Sequence, residues 1–242
     1  MDTNKINRIL ESVKKSVVPT ETERLRMQRI ADKIISNLYE NSRNERIDIK
    51  IDIGGSFAKS TWIKGDSDID IYVIFNSEDE TKKLKDIIPM GLNVEHGTRV
   101  YFTGKLYGVD VQIVPLVKFS EISKVKNSID LSVLHKDYIL KHTTVRQRED
   151  IILLKQFCKA NDCYGSESYM HGFSGYVLEL LIIYYGSLIE LFKAVMNWKP
   201  GEFIDIERLY KSKDEAIESI GAKDNPLIIV DPTNKYRNVC GS

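Results

Sequence analysis

The chain has 242 residues, of which 42% are hydrophobic and 29% are charged, so we expect a globular protein of one or two domains. Lysine and arginine together number 35, and aspartate and glutamate also number 35. This balance excludes a uniformly basic nucleic-acid-binding protein and leaves room for local basic patches.

The cysteines and the apolar segments bear on the cellular compartment. Three cysteines with no Cys-x-x-Cys pair disfavour both a disulfide framework and a zinc site, and they fit a reducing cytoplasm. The N-terminal segment lacks the apolar core of a signal peptide. The longest apolar run, residues 180–185, is too short to span a bilayer. We therefore expect a cytoplasmic protein that does not insert into a membrane.

The first predicted elements are a helix and a strand. Thr20 and Glu23 form a T-x-x-E capping box, and apolar residues then recur at helical spacing to about residue 41. Isoleucines alternate with charged residues over 47–53, which predicts a half-buried strand. Gly54 and the glycine after it end this strand.

The next segments alternate in the manner of a sheet. A charged surface helix is predicted over residues 79–90. Strands are predicted on both sides of it, over Asp68–Phe75, Thr98–Thr103 and Leu106–Val114. The last two are expected to be joined by a turn near Gly104.

Beyond residue 115 the pattern is mainly helical. A helix is predicted over 145–160, and three of its apolar residues are expected to be buried, namely Ile151, Leu154 and Phe157. The apolar segment 173–198 is expected to form two helices around Gly186. The sequence thus predicts an α+β protein with a boundary between about residues 120 and 145. A domain over 1–130 would carry the sheet, and a domain over 131–242 would be helical, with a short strand over Leu227–Val230.

Three aspartates are expected to lie together on the sheet. Asp68 and Asp70 are two residues apart on a strand, so their side chains project from the same face. Asp110 lies on another predicted strand, and Mg²⁺ prefers carboxylate oxygens. A D-x-D pair is by itself more often a solvated strand face than a metal site. Asp66, in the loop before the strand, is interpreted as a turn residue.

The segment Gly54-Gly55-Ser56 is typical of a phosphate-binding turn. A strand, a glycine turn and a helix start together direct backbone N–H groups toward an anion. Ser56 adds a hydroxyl donor, and Lys59 adds a positive charge one turn later. By itself, a Gly-Gly-Ser turn usually has no binding function. Its position about a dozen residues before the D-x-D strand makes the combined pattern specific.

This order of motifs resembles the polymerase-β-like nucleotidyltransferase superfamily and, within it, the archaeal-type (class I) CCA-adding enzymes, the tRNA nucleotidyltransferases. The resemblance covers most of the chain, in the blocks GGSFAKSTWIKGDSDIDIYVIF, GVDVQIVP, LHKDYI, LLKQFCKANDCYGSE, GFSGYVLELLIIYYGS and DPTNKYRNV. It implies a nucleotidyltransferase catalytic head, a mixed sheet with flanking helices, over residues 1–130. A mainly helical nucleotide-binding neck domain over 131–242 would follow.

The resemblance also implies roles for residues of the head. Asp68, Asp70 and Asp110 match the catalytic, metal-binding carboxylates, and Gly55 and Ser56 belong to the nucleotide-binding turn. Two Mg²⁺ ions are implied. One, held by all three aspartates, would lower the pKa of an RNA 3′-hydroxyl, and the other, held by the first two, would bind the triphosphate.

Further nucleotide-binding residues follow from the same resemblance. Lys59 stands where the family usually has arginine. Lysine keeps the positive charge of arginine but lacks its planar guanidinium group. Lys155 and Tyr164 match residues that bind the triphosphate, and His135 lies in a matching nucleotide-site block. Arg237 matches the arginine that helps to select cytosine and adenine. Three of these residues also have purely structural interpretations. Lys155 could lie on a solvated helix face, Tyr164 could be a core aromatic residue, and His135 could be a structural histidine.

The activity that the resemblance implies is the addition of CMP and AMP from CTP and ATP to the 3′ end of tRNA or another RNA. Family members continue beyond the RNV block into domains that grip tRNA, whereas this chain stops at Ser242. A split enzyme with a separate partner chain, a shortened chain and a minimal enzyme all remain open.

Two alternative functions also remain open. One is another enzyme of the superfamily, such as a poly(A) polymerase or an oligonucleotide second-messenger synthase. The other is a catalytically silent RNA-binding or partner-docking module. Three like charges held together without a metal would be unfavourable, and this argues against the silent module.

Overall fold

The computed structural model describes most of the chain, namely residues 3–66, 68–122, 125–165 and 172–240. Ser67 of the aspartate motif and the two residues 166–167 of the YGSE block lie outside the described residues.

The chain divides into two compact units. One is Pro19–Asp137, and the other combines Met1–Val18 with Tyr138–Ser242. The division falls within the predicted boundary region, slightly later than residue 130. The N-terminal segment, which we expected in the first domain, belongs to the second unit.

The unit Pro19–Asp137 is built on a five-stranded mixed sheet with the order β1-β2-β5-β4-β3. The strands are β1 Lys50–Ile53, β2 Asp68–Phe75, β3 Asn93–His96, β4 Val100–Leu106 and β5 Val109–Val117. β2 and β5 are parallel, and the other neighbours are antiparallel. The predicted bounds of β2 are confirmed.

Parts of the predicted pattern in this unit are wrong. The turn between β4 and β5 lies at Tyr107 and Gly108, which both have positive φ, and Gly104 is inside β4. The segment 79–90 forms a 3₁₀ helix and then the short helix α4 (Leu84–Ile87), instead of one helix to residue 90. α4 ends early because Pro89 favours an extended conformation for the residue before it. β3 was not predicted, since most of its residues are exposed and give no apolar alternation.

The main helix of this unit is α2 (Glu21–Asn44). Its predicted capping box is confirmed, because the Glu23 N–H donates to the Thr20 hydroxyl and the Thr20 N–H donates to the Glu23 carboxylate. Buried residues of α2 and of the sheet form one hydrophobic core, which includes Ile34, Leu38, Ile69, Ile71 and Ile113. This core occupies one face of the sheet.

Apolar residues cover one end of the opposite face of the sheet. Tyr72, Val114 and Leu116 form a smaller cluster, against which Ile129 and Val133 pack. Val133 lies in the first turn of α5 (Ser132–His142). The other end of this face, where β2 and β5 begin, carries polar residues.

A buried ion pair attaches the segment before α5 to the sheet. The Arg99 guanidinium donates to both carboxylate oxygens of Asp130 at 2.5 and 2.8 Å, and Arg99 and Asp130 are both buried. Arg99 also pairs with Glu78, and Asp130 accepts from the Val117 N–H at 2.9 Å. These contacts hold α5 above the end of β5.

The second unit is mainly helical, as predicted. Its helices are α1 Thr3–Val17, α6 Val145–Ala160, α7 Gly175–Tyr185, α8 Leu188–Val195 and α9 Lys213–Ile220. Its three strands are β6 Glu202–Ile204, β7 Leu227–Asp231 and β8 Asn234–Asn238, in the order β6-β7-β8. We predicted only β7 among these strands.

The apolar helices of this unit agree with their sequence patterns except at one residue. The bounds of α6 are confirmed, and Gly186 ends α7 in a left-handed conformation, as its position between two helices requires. Phe157 was predicted to be buried, but it is 49% exposed and packs against Phe192. Among the described residues no single helix is long and apolar enough to cross a membrane. Only α7 and α8 taken together reach that length, and they are bent by 94°.

We predict that Asp130→Ala strongly destabilises the protein. The substitution leaves the buried Arg99 charge without its buried partner, which typically costs about 3–5 kcal/mol of the free energy of unfolding. Urea denaturation followed by circular dichroism measures the loss. Asp79→Ala is the matched control, because it removes the 92% exposed partner of a surface pair and should leave the midpoint unchanged. Equal midpoints for the two variants would contradict the role of the buried pair.

Candidate functional site

The backbone brings the three predicted aspartates to one face of the sheet. Asp68 on β2 is the direct register partner of Asp110 on the parallel strand β5. Neighbouring strands lie about 4.8 Å apart, and register partners in parallel strands project from the same face. Asp70 follows two residues later on that face. All three therefore lie at the end of this face where β2 and β5 begin.

Asp70 is the most constrained of the three carboxylates. Burial and, to a smaller extent, the charge of Asp68 together raise the pKa of Asp70 to about 7, whereas Lys59 opposes the shift. Asp70 is thus a carboxyl group whose ionised form is unfavourable until a positive charge compensates it. The effect of Lys59 on Asp70 also places its charge near the aspartates.

The Asp110 carboxylate is oriented differently. It is 63% exposed, and one of its oxygens lies 3.6 Å from the Lys105 ammonium on β4. In the part of the chain that the structure describes, no three histidine, cysteine, aspartate or glutamate side chains converge closely enough to enclose an ion. The register thus favours a shared site, but the present side-chain position of Asp110 does not complete it. That all three carboxylates bind metal stays a prediction.

The glycine-serine turn fits closely against β2. A Cβ atom on Gly55 would lie 1.5 Å from a carboxylate oxygen of Asp70, and φ at Gly55 is +60°. A Cβ atom on Gly54 would lie 2.1 Å from the ring of Tyr72. Both positions therefore require glycine, because Asp70 and Tyr72, two residues apart on the same face, occupy the space that side chains would need.

Tyr72 is a site residue that we did not predict. Its hydroxyl is hydrogen-bonded to the backbone of Gly55 and to the side chain of Ser132 in α5, and burial followed by the charge of Asp70 raises the pKa of Tyr72 to about 12. Tyr72 therefore ties the turn to α5. The available signal was its spacing, since Tyr72 continues the face of Asp68 and Asp70.

The residues after the turn form the one-turn helix α3 (Gly55–Lys59). Its N-cap is Gly54, which offers no side chain to the first N–H groups. Ser56 lies in the first turn and is half-buried, and Lys59 is the last helical residue. The turn therefore presents the donors that we predicted for an anion.

His135 lies on α5, above the same sheet. It is half-exposed, and the next residue, Lys136, pairs with Asp52 on β1. This ion pair and the hydrogen bond between Ser132 and Tyr72 hold the start of α5 against the sheet.

In the second unit, two predicted triphosphate ligands lie at the start of α7. The Tyr164 hydroxyl and the Lys155 ammonium lie 3.1 and 3.4 Å from the point that a Cβ atom on Gly175 would occupy. Lys155 is buried, and its ammonium donates to the buried Glu179 carboxylate at 2.8 Å. The reading of Lys155 as a solvated helix face is therefore wrong, and Glu179 is a partner that we did not predict.

Arg237 lies on β8, next to an acidic residue that is buried from solvent. Its guanidinium donates to Asp231 at 3.0 Å, and Asp231 is fully buried. Asp231 also accepts from the hydroxyls of Thr233 and Tyr176. Asp231 thus holds the Arg237 guanidinium, while 37% of the Arg237 side chain remains exposed to solvent. The hairpin between β7 and β8 creates this contact, and we had predicted only its first strand.

We predict that Gly55→Ala costs more stability than Gly91→Ala. Both glycines have positive φ, so both substitutions carry a backbone cost of about 1–2 kcal/mol. Only at Gly55 does the new Cβ atom overlap another group, the Asp70 carboxylate, which adds about 1–3 kcal/mol. Urea denaturation of both variants measures the difference, and equal losses would contradict the close contact.

We predict that Asp70→Asn stabilises the metal-free protein at pH 8 relative to the wild type. The folded pKa of about 7 lies above the ordinary value of about 3.9, so the folded state holds its proton more tightly. The wild type therefore loses stability as the pH rises from about 4 to about 7, and the uncharged asparagine does not.

Thermal unfolding in EDTA at pH 4 and pH 8 measures this effect. The advantage of Asp70→Asn should be larger at pH 8. Asp79→Asn is the control, because its side chain is 92% exposed and should show no such trend. A constant difference between Asp70→Asn and the wild type at both pH values would contradict the prediction.

The chain matches two family models in succession. Residues 32–145 match the nucleotidyltransferase domain, and residues 149–242 match the second domain of tRNA nucleotidyltransferase.

Curated relatives match nearly the whole chain. The CCA-adding enzyme of Methanothermobacter thermautotrophicus is 32% identical over an alignment that covers 96% of this chain and 52% of that protein. The CCA-adding enzyme of Methanocaldococcus jannaschii is 33% identical over an alignment that covers 97% of this chain and 55% of that protein. The chain thus spans about half the length of the curated relatives it matches.

Solved structures of low sequence identity share the fold. The Cid1 poly(U) polymerase with Mg 3′-dATP bound has a TM-score of 0.72 at 16% identity, and the match covers 98% of this chain and 87% of that one. Escherichia coli MS115-1 CdnC with ATP has a TM-score of 0.68 at 18% identity, over 99% and 84% of the two chains. The predicted α+β nucleotidyltransferase fold and the resemblance are confirmed. The relatives of this chain thus include archaeal CCA-adding enzymes at 32–33% identity over nearly its whole length, and the chain contains a nucleotidyltransferase domain followed by the second domain of tRNA nucleotidyltransferase.

Proposed function

We propose that this protein adds CMP and AMP from CTP and ATP to the 3′ end of tRNA or another RNA. The observation that carries the proposal is the register of β2 with β5, which sets Asp68 beside Asp110 with Asp70 on the same face. The match of residues 149–242 to the second domain of tRNA nucleotidyltransferase supports tRNA as the acceptor. In this proposal the protein acts in the cytoplasm.

The aspartates are proposed to hold two Mg²⁺ ions. Such ions, when bound, neutralise phosphate charge and lower the pKa of an attacking hydroxyl. The donor set fits, because Asp68 and Asp70 crowd negative charge at a half-buried position that a cation would relieve. Asp110, the register partner of Asp68, would complete the set of carboxylates that hold the ions.

The turn after β1 is proposed to hold the triphosphate. Ser56 and the backbone N–H groups that follow Gly54 would donate to phosphate oxygens, and Lys59 would add its charge. The 3′-oxygen of the RNA then forms a bond to the α-phosphorus, the bond from that phosphorus to the bridging oxygen breaks, and pyrophosphate leaves. The proton of the RNA hydroxyl passes to water in this step.

The remaining predicted residues are proposed to bind the rest of the nucleotide. Lys155 and Tyr164 would contact the β- and γ-phosphates, and His135 would lie in the nucleotide site. Arg237 would donate to the edge of the base, and its bond to the buried Asp231 orients the planar fork. The fork distinguishes bases by the positions of their acceptor atoms.

We predict that a tRNA transcript ending before CCA is extended by the wild type with labelled CTP and ATP in Mg²⁺. Asp68→Asn should lower the rate by about 10⁴-fold, as expected for a group that acts in the transition state. Arg237→Ala should still extend the RNA but should also incorporate UMP or GMP. Lys82→Ala is the control, since this lysine is 77% exposed in the 3₁₀ helix at 79–83.

Other outcomes of this assay would overturn the proposal. Cyclic or oligomeric products from triphosphates without RNA would indicate a second-messenger synthase, and long adenylate tails would indicate a poly(A) polymerase. Absence of Mg²⁺-dependent CTP binding in calorimetry, together with no extension, would indicate a silent module.

A further inference from the structure

Two of the three cysteines meet where α6 ends. The helix closes in a Schellman motif, in which the Cys163 N–H donates to the Cys158 carbonyl at 3.0 Å. The Asp162 N–H donates to the Lys159 carbonyl at 3.3 Å, and Asp162 has the positive φ, +51°, that this motif requires. The motif brings the side chain of its last residue against the helix residue five positions earlier. Both of these residues are cysteines.

The two thiol groups are close together and are not bonded to each other. Cys158 and Cys163 are both free, and the Cys163 thiol donates to the Cys158 carbonyl at 3.5 Å. Burial and, after it, the neighbouring Cys163 thiol raise the pKa of Cys158 to about 12. A disulfide needs two Cα atoms about 4.4–6.8 Å apart. The backbone hydrogen bond between the same two residues is compatible with this range, because it holds their main chains side by side.

The two thiols differ in their access to solvent. Only 4% of Cys158 is exposed, whereas Cys163 is half-buried. An oxidant in solution therefore meets Cys163 first, and Cys158 is the neighbour that can react with the product.

The segment after Cys163 leads to the start of α7. The Cys163 carbonyl accepts from the Phe173 N–H at 2.8 Å, and the Gly165 N–H donates to the Phe173 carbonyl at 3.0 Å. Tyr164 lies between these two bonds, and its hydroxyl is 3.1 Å from the point that a Cβ atom on Gly175 would occupy. The position of Tyr164 thus depends on the position of Cys163.

We propose that Cys158 and Cys163 are a modification site at which hydrogen peroxide forms a reversible disulfide, and that this bond displaces Tyr164 and weakens triphosphate binding. The oxidation stands on the geometry of the two cysteines, whereas its effect on binding rests on the proposed function. A disulfide holds its sulfur atoms about 2.05 Å apart. It therefore removes the hydrogen bond of the Cys163 thiol and draws this side chain, with the adjoining Tyr164, toward α6. In a reducing compartment such a bond is transient, as is typical of redox-sensing thiols.

The oxidation takes place in two steps. In the first, the Cys163 sulfur attacks peroxide and the O–O bond breaks. The sulfur keeps one hydroxyl as a sulfenic acid, and the thiol proton leaves with the other oxygen as water. In the second, the Cys158 sulfur bonds to the Cys163 sulfur and displaces that hydroxyl, which leaves as water with the Cys158 proton. Two thiols are thereby oxidised by two electrons, and one peroxide is reduced to two waters.

Peptide mapping tests the oxidation without any nucleotide. The folded protein is treated with millimolar peroxide, and its remaining thiols are alkylated in urea. Trypsin then cleaves after Lys155 and Lys159, which separates the two cysteines onto peptides 156–159 and 160–193. We expect mass spectrometry to find these two peptides joined, and dithiothreitol to release them.

Variants of single cysteines make this test specific. Cys163→Ser should abolish the joined product, and Cys240→Ser is the matched control that should retain it. A joined product that contains Cys240 would overturn the inference. So would separate peptides from the folded protein at a peroxide concentration that oxidises the thiols of the urea-unfolded chain.

Calorimetry with CTP in Mg²⁺ tests the effect on Tyr164. The oxidised wild type should bind CTP about 2- to 10-fold more weakly than the reduced protein, the change expected for one lost hydrogen bond, and dithiothreitol should restore the affinity. Peroxide should leave the affinity of Cys163→Ser unchanged. Equal affinities of the oxidised and reduced wild type would overturn the effect on Tyr164. Absence of CTP binding by the reduced wild type would overturn the proposed function, and this effect with it, but not the disulfide.

Discussion

The parallel pairing of β2 with β5 is the interaction on which the candidate site depends. Its register sets Asp68 opposite Asp110. Side chains alternate along a strand, so a slip of one residue would turn Asp110 into the core and bring a hydrophobic residue to the open face. Buried residues on the other face hold this register, namely Ile69 and Ile71 on β2 and Val111 and Ile113 on β5. Apolar packing on one face thus places carboxylates on the other.

The open end of this face combines features that are unfavourable for stability by themselves. Burial and the neighbouring Asp68 raise the pKa of Asp70, and the turn beside it has a glycine at positive φ whose missing side chain makes room for that carboxylate. Strain and like charge of this kind persist when surrounding structure over-determines them. Here the core beneath the sheet and the ion pair of Arg99 with Asp130, which holds α5 in place, supply that support.

Elements with strong local signals could be predicted, and elements with weak signals could not. The bounds of β2 and α6 agree with the sequence because apolar period and flanking caps both point to them. β3 and β8 are short and mostly polar, so neither has an alternation to detect. Phe157 has helical spacing within α6 but lies outside the buried face, because tertiary packing covers only part of an apolar stripe.

Local sequence decides the spacing of Asp68 and Asp70 on one strand face, the glycine-serine turn before them and the caps of the main helices. These features depend on residues a few positions apart, whose geometry the backbone sets. Only the tertiary structure decides that Lys155 pairs with Glu179 inside the second unit and that Asp110 lies 3.6 Å from the Lys105 ammonium. Such contacts require two elements to pack in one orientation and register, and the packing of the whole core determines that orientation and register.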